Sequence, residues 1–278
     1  MKKVIALDIG GTNTRLALVN ERYEIEAKLI RPTVTGNLDA FLHSVISIIE
    51  DGVPSFDGVI AIAMGVPGRV RIDGYIDALP NIGIEHIPLG ETVSKRFGLP
   101  AYVKNDAEVA ALSEANVGPY KDVPSLYFVT ISTGVGGALT RKGKLVNSSY
   151  EVGHTMTEYK GEIHEFEHMA SGGYLPRLAK RNGIEVASTL EFMNRVRAKD
   201  PEIMPVYEDW IGLLSDWFKM VHNLFEPEIF TVTGGVMKSK DIFFEDLKKA
   251  AAPCRIEECG CGQDAGLLGA AVYGFQKA

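Results

Sequence analysis

Val4-Ile5-Ala6-Leu7-Asp8-Ile9-Gly10-Gly11-Thr12-Asn13-Thr14-Arg15-Leu16-Ala17-Leu18-Val19 decides how the rest of the chain is read. Two apolar runs flank an acid, two glycines and three short polar residues, a pattern that predicts a β-hairpin. The glycines allow positive φ and the close approach of a ligand. Successive N–H groups in such a turn form a concave anion site, to which Thr12, Asn13 and Thr14 add side-chain donors. Asp8, at the strand end, is placed to hold a hydrated Mg2+ between protein and phosphates. The same residues would also serve an ordinary hairpin loop with an acid at its shoulder.

Further along, the pattern recurs. Leu126 to Ser132 reads as a strand and runs into Thr133-Gly134-Val135-Gly136-Gly137-Ala138-Leu139-Thr140. Two copies of a phosphate-type hairpin are harder to explain by chance than one. They suggest two related lobes that grip one polyphosphate. A G-x-x-x-x-G-K loop and a Rossmann G-x-G-x-x-G are both absent.

Between the copies, Glu24 to Ile30 predicts a third strand, and helical spacing from Leu38 to Ile49 predicts a helix with Asn37 as its cap. Gly58 to Met64 predicts a buried strand ending in Gly65-Val66-Pro67-Gly68, either a ligand-contacting strand end or a structural turn. Short strands are expected around Asp73-Gly74 within Val70 to Ala78, followed by a loop at Leu79-Pro80-Asn81-Ile82-Gly83. A helix over Pro88 to Phe97 and a strand over Ala101 to Lys104 lead into Asn105-Asp106-Ala107 and a helical stretch reaching Glu114. Asp106 can cap that helix, for about 1 kcal/mol, or face a ligand as a general base.

Beyond the second hairpin, Glu151-Val152-Gly153-His154 opens a polar loop that also holds Glu162, His164, Glu165, Glu167 and His168. Such groups suit a polyhydroxylated ligand, a zinc ion or plain solvent. A helix opening at Ser171 and another over Leu190 to Val196 precede a long amphipathic helix from Ile203 to Leu224, whose two tryptophans read as core. Ile229 to Thr233 predicts a buried strand ending in Gly234-Gly235, where an adenine can pack or the chain simply turn. Gly262 to Tyr273 is a closing helix of small residues.

At 278 residues the length suggests two domains. A net charge of −7 argues against a sequence-independent nucleic-acid surface. No basic leader precedes an apolar stretch and no apolar run reaches membrane-spanning length, so a cytoplasmic protein without a membrane partner is expected. Cys254, Cys259 and Cys261 are odd in number and crowded, unlike a disulfide framework; whether they bind a metal is left open.

Taken together, D-I-G-G-T-N (8–13), G-V-P-G (65–68), N-D-A (105–107), T-G-V-G-G (133–137), E-V-G-H (151–154), E-x-x-A-S-G (167–172), T-G-G-V (233–236) and the A-G-L-L-G-A-A close resemble, in their shared order, the ROK family of sugar kinases within the actin-like ATPase superfamily. The resemblance implies an α/β, two-lobed, ribonuclease H-like fold with an interlobe cleft. The small lobe would be residues 1–106, joined by a last helix at about 263–278, and the large lobe residues 107–262. Asp106 resembles the catalytic base that takes a proton from a sugar 6-hydroxyl. Gly65, Asn81, Asn105, Glu151, His154 and Glu167 would contact the sugar together with Asp106. Gly10, Gly11, Thr12, Asn13, Thr133, Gly134 and Gly137 resemble the phosphate loops, and Gly234 and Gly235 the adenosine loop. Asp8 resembles the acid near Mg2+, acting through water.

One departure stands out. Where the family usually carries a Cys-rich zinc segment, this chain has Ile163-His164-Glu165-Phe166-Glu167, so no structural zinc is expected. The resemblance implies ATP-dependent phosphorylation of a hexose at its 6-hydroxyl by a homodimer, with glucose first and N-acetylmannosamine second as acceptor. The sequence names neither the sugar nor the phosphoryl donor. A sugar-responsive repressor is disfavoured because only seven residues precede Asp8. A sugar or nucleotide sensor, or an actin-like scaffold ATPase, is the rival from another class.

Overall fold

The strands Lys3–Ile9 and Asn13–Asn20 form the expected antiparallel hairpin, with Asp8 paired to Arg15 and Ile9 to Thr14. The computed structural model describes residues 1–71, 73–146 and 151–278. The chain divides into a first compact unit of Met1–Asp122, Lys142–Ser149 and Gly260–Ala278, and a second of Val123–Arg141 and Tyr150–Cys259.

In the first unit the hairpin is one side of a five-stranded sheet. Its order is Ile25–Pro32, Asn13–Asn20, Lys3–Ile9, Val59–Val66 and Ala101–Asn105. Lys3–Ile9 runs parallel to Val59–Val66, which runs parallel to Ala101–Asn105. Side chains alternate across a strand, and here the alternation sorts them by size. Ile5, Leu7 and Ile9 pack with Phe41, Val45, Ile48 and Ile49 of the helix Leu38–Gly52 and with Leu89 and Val93 of Leu89–Phe97. Val4 and Ala6, with Ala17, Ala61 and Ala63, face Val109 and the closing helix Ala265–Lys277. Small residues on this face let the helix backbone come close. A methyl group on Gly269 would lie 1.6 Å from the Val109 carbonyl oxygen, so the closing helix and the helix Asp106–Asn116 cross with backbones in contact.

Asn37 caps its helix as expected, accepting a hydrogen bond from the Ala40 N–H at 2.9 Å. Ile76–Leu79 and Ile84–Ile87 form a small hairpin around the Leu79–Gly83 turn. Of the strands expected in Val70 to Ala78, the structure contains Ile76–Leu79 and a bridge from Val70 to Ile76; Ile72 lies outside the described residues.

The second unit repeats the arrangement. Ser125–Ile131 pairs antiparallel with Val135–Arg141 on one side and parallel with Ile229–Thr233 on the other, and the latter pairs parallel with Ile256–Glu258. The helix Met204–Phe225 buries Trp210 and Trp217, as the sequence leads one to expect. Their indole N–H groups reach beyond the core: Trp210 donates to the Ala170 carbonyl at 2.8 Å and Trp217 to that of Val152 at 3.4 Å. The polar stretch after His154, which reads as a loop in the sequence, contains a β-hairpin of Met156–Tyr159 and Glu162–Glu165. Lys160 and Gly161 both have positive φ, at 52° and 84°, which is the backbone of a tight two-residue hairpin turn.

Candidate functional site

In the first unit, three parallel strands end side by side. Asp8 pairs with Gly65, and Val66 pairs with Asn105. The acid, the G-V-P-G turn and the N-D pair therefore share one sheet edge, with Asp8 and Asn105 about 10 Å apart at two strand spacings. Asn105, not Asp106, caps the following helix. Its Oδ1 accepts the Ala107 N–H at 2.9 Å, and its own N–H donates to Glu108 Oε2 at 3.2 Å, a reciprocal capping box. Asn105 Nδ2 donates to the Gly68 carbonyl at 3.0 Å and so holds the G-V-P-G turn. Asp106 is the first residue of the helix, with an exposed side chain whose Oδ1 also accepts the Ala107 N–H at 2.8 Å.

The first glycine turn closes through the Gly10 N–H, which donates to the Asn13 carbonyl at 2.9 Å, leaving Gly11, Thr12 and Asn13 exposed. Thr33 braces it: its hydroxyl donates to the Gly10 carbonyl at 2.6 Å and its N–H to that of Thr12 at 3.0 Å. Asn81 is exposed, and its backbone lies 3.4 Å from where a Gly11 methyl group would stand, so the Leu79–Gly83 turn abuts the first glycine turn. Asp8 is half-buried beneath the closing helix, and burial raises its pKa. Arg15 opposes that rise and Asp264 adds to it.

The second unit brings together the remaining expected residues. The second glycine turn closes through the Ser132 N–H to the Gly134 carbonyl at 2.8 Å, with Thr133 exposed at the tip. Glu167 Oε2 accepts the Val135 N–H at 3.1 Å, and a methyl group on Gly134 would stand 2.5 Å from that oxygen. Ser171 donates its hydroxyl to the Thr133 carbonyl at 2.9 Å, and the Gly173 N–H donates to the Ser132 carbonyl at 2.9 Å. Gly137 lies inside the returning strand, against Tyr127 and Phe128. Gly234 has φ 105°, and a methyl group there would lie 2.2 Å from the Ile131 carbonyl oxygen; Gly235 stands beside the Ser132 hydroxyl. The E-V-G-H segment, the Glu167 segment, the double glycine and the second hairpin thus share one end of this sheet.

Glu151 is exposed at the start of a short turn Val152–His154. His154 Nδ1 lies 2.9 Å from Glu165 Oε2, and this bond is the main reason that the imidazole pKa is raised and the carboxyl pKa lowered. His154, Glu165 and Glu167 offer ligand atoms within 4.8 Å of one another, the one such group among the described residues. Two of the three, Glu165 and Glu167, lie in the Ile163–Glu167 segment. Cys261, by contrast, contacts the Ser113 hydroxyl at 3.2 Å, and its thiol is pushed up to about 12, mainly by burial.

Sequence reasoning misses the surroundings of Asp8. Lys28 pairs with Asp264, and Arg15 donates to the Gln263 carbonyl at 2.8 Å. The available signal is the acid immediately before the A-G-L-L-G run.

The fold is that of the ROK hexokinase from Thermus thermophilus, which matches it with a TM-score of 0.87, at 23% identity, over 99% of this chain and 98% of that one. The chain belongs to the ROK family, which it matches over residues 4–276. It is 28% identical to the glucokinase of Streptomyces coelicolor, over 90% of this chain and 87% of that protein. It is 26% identical to the N-acetylmannosamine kinase of Haemophilus influenzae, over 98% and 95% respectively.

Proposed function

We propose that this chain is an ATP-dependent hexose kinase that transfers the γ-phosphoryl group to a sugar 6-hydroxyl, with glucose as the acceptor. The observation that carries the reading is the division of labour at 105 and 106. Asn105 makes the reciprocal capping box, and Asp106, whose Oδ1 shares the Ala107 N–H, keeps an exposed side chain at the helix start. Asp106 orients the 6-hydroxyl and takes its proton late in the transfer, help worth roughly 10²–10⁴-fold.

The sugar-contacting residues assigned to the first unit are Gly65, Asn81 and Asn105, and those assigned to the second unit are Glu151, His154 and Glu167. In the first unit Gly11, Thr12 and Asn13, and in the second Thr133 and Gly134, carry the N–H and hydroxyl groups assigned to phosphate; Gly10 closes its turn with its own N–H and Gly137 sits within the returning strand. Gly234 and Gly235 pack the adenosine. The donor set fits Mg2+: Asp8 offers acceptor-only oxygens at a strand end and would hold the ion through water. Mg2+, when bound, neutralises charge on the phosphates. A cytoplasmic homodimer is carried over from the family, and sedimentation tests the assembly.

The two curated relatives differ in acceptor, so N-acetylmannosamine is the second reading. A coupled ADP-release assay with Mg·ATP against hexoses and N-acetylhexosamines separates them. Turnover with glucose supports the proposal, and turnover with N-acetylmannosamine alone replaces the acceptor. Silence on every sugar while ATP still binds overturns the kinase reading and leaves a sensor or scaffold ATPase.

A further inference from the structure

Glu114 is a carboxylate with no solvent exposure, eight residues after Asp106 on the same helix. Its Oε1 accepts the Gly260 N–H at 2.8 Å and its Oε2 the Cys261 N–H at 2.9 Å. A buried carboxylate is costly unless its oxygens are satisfied, and a packing role alone would be met by an apolar side chain. What the carboxylate adds is a two-point grip on a turn of backbone.

That turn, residues 260–264, leads straight into the closing helix. Its far end is held by the opening hairpin and the strand after it, where Arg15 donates to the Gln263 carbonyl at 2.8 Å and Lys28 pairs with Asp264. Two residues later, Gly266 lies against the Asp8 carboxylate. The closing helix also crosses the Asp106 helix at the Gly269–Val109 backbone contact. One short segment therefore joins the helix that begins with Asp106 to the acid that ends the first strand, and Glu114 anchors it on the Asp106 side.

We infer that Glu114 is a positioning residue: by clamping the Gly260–Cys261 backbone it fixes the start of the closing helix over Asp8, and so sets the placement of Asp8 for Mg·ATP relative to Asp106. The inference rests on the kinase reading for the roles of Asp8 and Asp106, while the clamp itself does not.

The test is Glu114→Gln, in which one carboxylate oxygen becomes an NH2 group facing an N–H donor. Ser113→Ala is the control; it removes the neighbouring Ser113–Cys261 contact and leaves the clamp. In the full chain, Glu114→Gln raises the KM for Mg·ATP by about tenfold, the scale of one lost charge-assisted hydrogen bond, while the sugar KM stays within about twofold. Ser113→Ala lowers the melting temperature and leaves both KM values in place. A folded Glu114→Gln enzyme with an unchanged Mg·ATP KM, or with both KM values raised equally, overturns the assignment. Should that variant not fold, Glu114→Asp keeps the charge but cannot reach both N–H groups, and the same split is expected. If the wild-type chain turns over no sugar, the kinase reading fails by itself. Calorimetric binding of ATP with and without Mg2+ then tests the clamp: the Mg2+ enhancement is lost in Glu114→Gln if the inference holds and kept if it does not.

Discussion

Gly266 lies so close to Asp8 that a methyl group on it would stand 2.6 Å from the Asp8 carboxyl carbon. Strand alternation explains the meeting: Val4, Ala6 and Asp8 share the face that packs on the closing helix. Gly266→Ala is expected to push the helix or the carboxylate aside at a cost of about 1–3 kcal/mol, the usual range for overpacking. Mg·ATP affinity should fall alongside the denaturant midpoint. Unchanged midpoint and affinity would show that the contact is looser than described.

His154 and Glu165 form a pair that pH should report. The bond raises the His154 pKa, so its contribution is fully present below the ordinary imidazole range and is lost as pH rises through the raised value. The Glu165 pKa is lowered, so its contribution is present above the ordinary carboxylate range and is lost as pH falls through the lowered value. The pair is therefore most stabilising between those two ranges. In an NMR titration the His154 midpoint should drop towards the ordinary imidazole value in Glu165→Gln. An unmoved midpoint would refute the pairing.

Gly234 combines φ 105° with a carbonyl oxygen 2.2 Å from where a methyl group would stand. Backbone strain alone costs about 1–3 kcal/mol at such a position, and the collision adds to it. Gly234→Ala should lose at least about 2 kcal/mol by urea denaturation and weaken adenosine-nucleotide binding more than sugar binding. Equal loss of both would remove the adenosine-loop assignment.

Asn105→Ala removes both the helix cap and the bond to Gly68. A lost cap costs about 0.5–2 kcal/mol. We expect a stability loss of that size, together with a raised sugar KM as the G-V-P-G turn loosens. A stability change without any effect on sugar KM would limit Asn105 to capping.

Much of the fold is legible in the sequence because strong local signals agree with it. The glycine turns, the Asn37 cap and the period of the Met204–Phe225 helix each specify a local structure that the packing keeps. Sequence reading leaves capping as one of two roles open to Asp106, and the backbone gives the cap to Asn105; Asn and Asp are both good caps, and only the backbone shows where the helix starts. The Met156–Glu165 hairpin escapes it because its strands are short, polar and largely without alternation, and Lys160-Gly161 is a weaker turn signal than Asn-Gly. Glu114 and Asp264 escape it because their partners lie 146 and 236 residues away in the chain. No local pattern could link them.

The central claim is that Asp106 is the base, and Asp106→Asn tests it most directly. The variant is expected to fold, to bind ATP with wild-type affinity by calorimetry, and to lose roughly 10²–10⁴-fold in kcat for phosphorylation of the accepted sugar. Turnover within a few-fold of wild type, with ATP binding intact, would contradict it and return Asp106 to the helix end as a structural residue.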